Sequence, residues 1–283
     1  MDEAYRIQVL RDYVVYCVES KDARVTKFHY KYMPYSRKQS TIDLINRAKK
    51  RKIIFEPRIL CLQDTEAELV EYQNIPLIDL YEQKRNDPNV YYVMALAGAY
   101  SLIYFKKGKR NLTFTACTLP SIPALIHFDE IDPTKYGKGK LPEMHKPENW
   151  DELDWKIYKE RRDPLKSSVE IGEKLGISYQ TVLTRFRKIL QDCQIWIPFF
   201  PKGYDNYVPY VLSLKTEYEL GLVSELKKLD RSNYIYKIDD TLILTLFFDR
   251  RLEINSFLRL EKKGVIHDLR VSFPLSHDNV LEW

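Results

Sequence analysis

The chain has 283 residues, 45% hydrophobic, 13% aromatic and 30% charged, which is apolar enough for packed cores and too aromatic for a disordered chain. No run of about 18 uncharged apolar residues occurs, which excludes a membrane-spanning helix, and the opening Met1-Asp2-Glu3-Ala4-Tyr5-Arg6 lacks the basic-then-apolar order of a signal peptide. Four separated cysteines (Cys17, Cys61, Cys117, Cys193) without a CxxC pair exclude a zinc ribbon and point to the reducing cytoplasm.

In chain order, the periodicity predicts helices over Ala4–Glu19 and Ala23–Tyr32 and a third near Lys38–Arg51, with Ile42, Ile45 and Ala48 on one side. Arg58–Gln63 reads as a strand, Leu77–Arg85 as a helix, and Val90–Ala97, Ser101–Phe105 and Leu112–Thr118 as strands, with any helix between the last two reduced to Lys106–Arg110. Residues 120–149 hold five of the fourteen prolines and read as a linker. Beyond it Trp150–Arg162 is a predicted helix. Ser167 and Glu170 suit the start of a second, which stops at Gly176, and Ser178 suits the cap of a third, Tyr179–Leu190. That is the helix-turn-helix pattern.

The remaining order is Tyr207–Lys215 (strand), Glu217–Leu229 (helix), Tyr234–Ile238 and Thr241–Phe248 (strands), Leu252–Lys263 (helix) and Val265–Phe273 (strand). It spells βαββαβ, the ferredoxin-like order. Thr241–Phe248 is apolar on both alternating sets, as expected of a central or interface strand. The first half repeats this plan in a more worn form, suggesting duplication. The expected fold is therefore α+β: two copies of a winged or plain helix-turn-helix followed by a ferredoxin-like domain, arranged as a pseudo-dimer. Expected boundaries are 1–56, 57–119, the linker 120–149, 150–200 and 201–283.

Charge follows the same plan. Residues 21–52 carry eleven Lys or Arg against two acids, and 156–190 carry nine against four, whereas 61–119 and 204–283 are nearly balanced. Two cationic segments at corresponding places suit a polyanion partner.

The run Ser168-Val169-Glu170-Ile171-Gly172-Glu173-Lys174-Leu175-Gly176-Ile177-Ser178-Tyr179-Gln180-Thr181-Val182, with Arg185 and Lys188-Ile189 after it and Asp154-Trp155-Lys156-Ile157 before it, resembles the Lrp/AsnC family of prokaryotic transcription regulators. The likeness covers about residues 150–275, with 5–119 as a diverged second copy. It implies binding of double-stranded DNA by the third helix, which enters the major groove. Ser178, Tyr179, Gln180, Thr181 and Thr184 are then the candidates near the bases, and Arg185, Arg187 and Lys188 the phosphate holders. In the first copy the corresponding residues are Arg37, Lys38, Gln39 and Ser40, backed by Arg47, Lys49, Lys50 and Arg51. The family's effector turn, Gly-x-Tyr-Asp-like, is matched by Gly98-Ala99-Tyr100-Ser101 and, more distantly, by Asp240 in the second copy, so a small amino-acid-like effector is a candidate ligand. The resemblance implies a cytoplasmic regulator, with no catalytic residue, no metal and no cofactor.

Siroheme decarboxylases are similar to the same family and also pair two homologous halves. They form the alternative, with His127, His145 and Arg110 as candidate residues. An interaction protein that does not bind DNA is a third reading. Neither a GxGxxG, Walker, GxSxG nor HExxH motif occurs.

Overall fold

The structure, a computed structural model, describes residues 2–278; the end of the expected 201–283 domain, from residue 279, lies outside them. In chain order the elements are α1 (Glu3–Ser20), α2 (Val25–Tyr32), α3 (Lys38–Lys50), β1 (Arg58–Leu60), β2 (Thr65–Val70), α4 (Leu77–Arg85), β3 (Val90–Gly98), β4 (Leu102–Lys107) and β5 (Leu112–Cys117). Then come two 3₁₀ turns (Phe128–Glu130, Pro133–Tyr136), α5 (Glu152–Arg161), α6 (Ser168–Leu175), α7 (Tyr179–Ile189), β6 (Gln194–Trp196), β7 (Val208–Thr216), α8 (Glu219–Leu226), β8 (Tyr234–Ile238), β9 (Thr241–Phe248), α9 (Asn255–Lys262) and β10 (Ile266–Asp278). The chain divides into two compact units, Met1–Cys61 with Lys146–Asp205, and Leu62–His145 with Asn206–Trp283.

The first unit gathers both three-helix segments. Leu10, Tyr13, Val14 and Cys17 recur at three- and four-residue spacing along α1 and are all buried, the apolar stripe a packed helix needs. The Tyr13 hydroxyl, buried with them, donates to the Ala23 carbonyl at 2.7 Å, which satisfies a polar atom that would otherwise cost free energy inside. Each third helix is followed by a short strand. Instead of each copy building its own wing, these strands pair with one another antiparallel: Arg58 opposite Trp196, Ile59 opposite Ile195, Leu60 opposite Gln194. The seam continues through an Ile54–Phe199 bridge and a Phe200 N–H to Ile53 carbonyl bond of 2.7 Å. A strand of this length cannot stand alone, so the expected first sandwich strand at 58–63 belongs to this seam. The wing of the first copy is completed only by the second.

The second unit is one eight-stranded antiparallel sheet in the order β2-β4-β3-β10-β7-β9-β8-β5, with α4, α8 and α9 beside it. Strands β10-β7-β9-β8 with α8 and α9 realise the βαββαβ plan. The first copy's opening strand is Thr65–Val70, to which the sequence pattern assigns no element. Its alternation is hidden because Glu66 and Glu68 occupy one face, where the structure pairs both with Lys106 across the ladder. In place of the expected reduced helix Lys106–Arg110, Lys106 and Lys107 end β4 and residues 108–111 form a short bend. The first half's last strand crosses over, with β5 pairing with β8 of the second half, while β10 keeps its place beside its own β7 and also pairs with β3 of the first half. Thirteen residues in β10 make this possible, against the nine expected.

Residues 120–145 are packed and not a flexible tether. Phe128, Ile131 and Leu141 join Leu212, Leu222, Leu244 and Phe257 in the core under α8 and α9, and the Leu141 N–H donates to Glu219 Oε2 at 2.7 Å. Prolines deny regular ladders here, but they do not prevent apolar side chains from being buried at about 1.5–3 kcal/mol each. Strand β9 explains its double alternation: Leu242, Leu244, Leu246 and Phe248 face the helices, and Ile243 faces a second layer with Met94, Leu96, Ile103, Phe105 and Val211 drawn from both copies.

Candidate nucleic-acid interface

The second helix-turn-helix is built by local chemistry. Asp151 and Asp154 form a reciprocal capping box at the start of α5, and the Ser167 side chain accepts from the Val169 N–H at the start of α6. Gly176 ends α6 in the left-handed region, φ 67°, where a residue with a Cβ is strained. Gly172 meets a different demand: a Cβ there would lie 2.7 Å from the Ile177 carbonyl oxygen, so the turn can fold back onto α6 only if this position has no side chain. Ser178 Oγ accepts from the Thr181 N–H at 3.1 Å and lies 2.9 Å from Thr181 Oγ1. The cap therefore engages Thr181, while Val182 and Ile189 are fully buried beneath.

The outward face of α7 presents Tyr179, Gln180, Thr184, Arg187 and Lys188, all exposed. Gln180 Nε2 donates to the Tyr179 hydroxyl at 2.7 Å. Two expected phosphate holders have protein partners. Arg185 reaches Asp151 Oδ2 at 2.6 Å and Asp154 Oδ1 at 2.9 Å, and Lys188 reaches Asp154 Oδ2 at 2.7 Å. Burial alone would push Asp154 up, but its bonds from Lys188 and Arg185 outweigh that and hold its carboxyl below the usual range. Arg185 likewise holds exposed Asp151 down. These two cations tie α7 to α5, and Arg187 is left as the exposed cation with no such tie among the described ion pairs.

The first copy is built differently. Buried His29 of α2 meets Thr41 of α3, Nδ1 to Oγ1 at 2.9 Å, and Thr41, Leu44, Ile45 and Ala48 form the inward face; Ile42 is half-buried. At the N-cap position Arg37 offers no side-chain cap. Arg37, Lys38, Arg47, Lys50 and Arg51 are exposed, Ser40 is half-buried, Gln39 donates to Asp43 at 2.8 Å, and Lys49 pairs with Glu56 at 2.6 Å. Beside them Tyr30, Tyr32 and Met33 are exposed, in the run Tyr30-Lys31-Tyr32-Met33-Pro34-Tyr35-Ser36-Arg37-Lys38, where no helical or strand periodicity marks the aromatics as surface residues.

The expected effector residues lie in the second unit. A Cβ on Gly98 (φ +124°) would sit 2.5 Å from the Val271 carbonyl oxygen, so the close approach that requires glycine is to β10. Ala99 N–H donates to that same oxygen at 3.0 Å, Tyr100 N–H donates to Ser272 Oγ at 3.1 Å, and the Tyr100 hydroxyl lies 3.1 Å from Ser213 Oγ. Ser101 N–H donates to the Val70 carbonyl. Asp240, on the other hairpin, pairs with Lys215 at 2.9 Å, which lowers its pKa. The hairpin is thus held by strand contacts. Of the histidine and arginine candidates, Arg110 and His145 meet, Nη1 to Nδ1 at 3.0 Å, with Arg110 also donating to the Met144 carbonyl. Among the described residues, Arg110 Nε is buried without a hydrogen-bond partner. His127 lies elsewhere, at the start of the Phe128–Glu130 turn, where its backbone N–H donates to Glu130.

Taken together, these observations define a mixed α+β protein in which helices accompany an eight-stranded antiparallel sheet. No known protein-family pattern and no curated protein sequence matches the chain. Among solved structures it is similar to the siroheme decarboxylase NirDL, with a TM-score of 0.54 at 9% identity over 98% of this chain and 92% of that one. A second structure of NirDL, in co-complex with an iron-uroporphyrin III analogue, aligns with a TM-score of 0.49 at 8% identity over the same shares. At this identity the likeness is one of fold. No helix among the described residues is long and apolar enough to cross a membrane.

Proposed function

We propose that this chain is a DNA-binding transcription regulator of the Lrp/AsnC type, a single-chain pseudo-dimer acting on an imperfect inverted repeat. The observation that carries the reading is the capped, glycine-closed turn that leaves Tyr179, Gln180, Thr184 and Arg187 exposed on α7. Gln180 is suited to a two-pronged bond with adenine, and Thr184 to a thymine methyl. The phosphate-holding role falls more heavily on α3, whose Arg37, Lys38, Arg47, Lys50 and Arg51 are exposed, than on α7, where Arg185 and Lys188 are committed to Asp151 and Asp154.

Fluorescence-anisotropy titration against the chain's own upstream DNA and a scrambled duplex, at two salt concentrations, tests this reading. Tighter binding to the native duplex is expected, with a log-log salt slope near −0.9 per phosphate contact. Replacing Arg37, Lys38, Arg47 and Lys50 by Ala should flatten that slope by several units on both duplexes. Gln180→Ala should cost about 1–3 kcal/mol on the native duplex only. Equal weak binding of both duplexes at low salt would overturn the regulator.

A second reading is supported by the likeness to NirDL over nearly the whole chain together with the Arg110–His145 pair, which would suit a carboxylate-bearing tetrapyrrole. Addition of iron-uroporphyrin with a Soret shift that is lost in Arg110→Ala would favour that enzyme reading over the regulator.

A further inference from the structure

The β1–β6 seam brings two cysteines face to face. One position beyond the Leu60–Gln194 pair, the antiparallel register sets Cys61 opposite Cys193. Ile59 N–H donates to the Arg162 carbonyl and Cys61 N–H to the Tyr158 hydroxyl, both at 3.0 Å, so neither points at β6. Positions 59 and 61 are therefore non-hydrogen-bonded rungs, where facing Cα atoms stand about 4.5 Å apart and side chains approach most closely. That separation falls at the short end of the roughly 4.4–6.8 Å that a disulfide spans. The thiols already touch: a hydrogen bond with Cys61, followed by burial, pushes the Cys193 thiol up. Both residues are buried thiols, whereas Cys17 lies in the core of α1 beside Tyr13 and Cys117 on β5 in the second unit.

We propose that Cys61 and Cys193 are a dithiol oxidised by a hydroperoxide to a reversible disulfide, which covalently joins the strand after α3 to the strand after α7. One thiolate attacks the peroxide oxygen to give a sulfenic acid and release water after proton transfer. The other thiolate then displaces hydroxide from that sulfur. Two thiols and one hydrogen peroxide become one disulfide and two waters, with two electrons passing from sulfur to oxygen. The groups facing the pair are Tyr158 of α5, Lys21 at the end of α1, and Asp192 on the approach to β6. Lys21 favours the Cys193 thiolate and Asp192 opposes it. The upward push on Cys193 lowers its thiolate fraction, so attack through that sulfur should quicken as the pH rises. The link does not depend on what the helices bind.

The test treats the reduced full chain with hydrogen peroxide, alkylates the remaining thiols and maps peptides without reductant. The expected product is a chain lighter by two hydrogens, with a 61–193 linked peptide, Cys17 and Cys117 alkylated, and full reversal by dithiothreitol. The oxidised chain should melt several degrees higher than the reduced chain, because a cross-link closing so long a loop restricts the unfolded ensemble. Cys61→Ala and Cys193→Ala should each abolish the linked peptide. The wild-type map decides the matter even if a variant folds poorly. Sulfinic acid at either position without a linked peptide, a link to Cys17 or Cys117, or four alkylatable thiols after prolonged oxidation at pH 9 would overturn the proposal.

Discussion

The two third helices, α3 and α7, carry similar roles in the duplicated plan but are built in opposite ways. Helix α7 has good local chemistry: a serine cap, a glycine turn and a compact inward face. Its cations at 185 and 188 are nonetheless spent on two carboxylates of α5. Helix α3 has no side-chain cap and a turn closed by Met33 in the left-handed region, φ 46°. Apart from Lys49, which pairs with Glu56, its cations Lys38, Arg47 and Lys50 remain exposed. The comparison shows that the clarity of a motif and the charge it offers to a partner are separate quantities, since a strong motif can use its basic residues to hold itself together.

The largest effect expected from this comparison comes from Gly172→Val. The clash with the Ile177 carbonyl should cost about 1–3 kcal/mol, read as a lower urea midpoint; Ala48→Gly on α3 should cost less, near the 1 kcal/mol helix penalty plus a lost methyl contact. Equal stability of the wild type and Gly172→Val would mean that the turn is not held as tightly as the geometry requires.

Next is Asp154→Ala, which removes the capping partner, releases Lys188 from its carboxylate and leaves Arg185 paired with Asp151 alone. A loss of about 1–2 kcal/mol is expected, and the DNA salt slope should steepen by about one unit as Lys188 reaches a phosphate. The pH dependence supplies a second readout. Because the folded-state pKa of Asp154 is depressed, its stabilising contribution is present above the ordinary carboxylate value of about 4 and is lost as pH falls through the lowered folded value. The acid-side fall in stability should therefore shrink in Asp154→Ala. An unchanged slope and an unchanged acid limb would remove the contrast drawn between the helices.

The smallest effects concern the caps. Ser178→Ala should cost about 1 kcal/mol, and Arg37→Ser should gain from a few tenths to about 1 kcal/mol, because Arg37 already has the extended backbone (φ −112°, ψ 128°) that a capping residue uses. Paired thermal melts of the two variants would reveal whether α3 is limited by its cap or by its packing.

Much of this was legible in the sequence for local reasons. Helix starts at Ser167 and Ser178, the stop at Gly176 and the strand limits Tyr234–Ile238 and Thr241–Phe248 follow from side chains acting on their own or nearby backbone. Thr65–Val70 was not legible, because Glu66 and Glu68 disguise a strand whose partner, Lys106, lies some forty residues away. Nor was the packing of Phe128, Ile131 and Leu141, since proline content reports backbone freedom and not burial. At the candidate interface the identity of the exposed α7 residues could be anticipated from helical spacing. The capture of Arg185 and Lys188 could not, because Asp151 and Asp154 sit on another helix.

The sequence by itself determined the alternation of helical and strand segments and the cationic character of residues 21–52 and 156–190, both of which are set by interactions within a few residues or by simple sums of charge. Tertiary structure alone decided that β5 pairs with β8 and that β10 joins β7 to β3, that Gly98 serves β10, and that Cys61 and Cys193 face one another. Those outcomes depend on which distant strand satisfies each edge. Unpaired strand edges are completed by whatever segment the whole chain can bring to them.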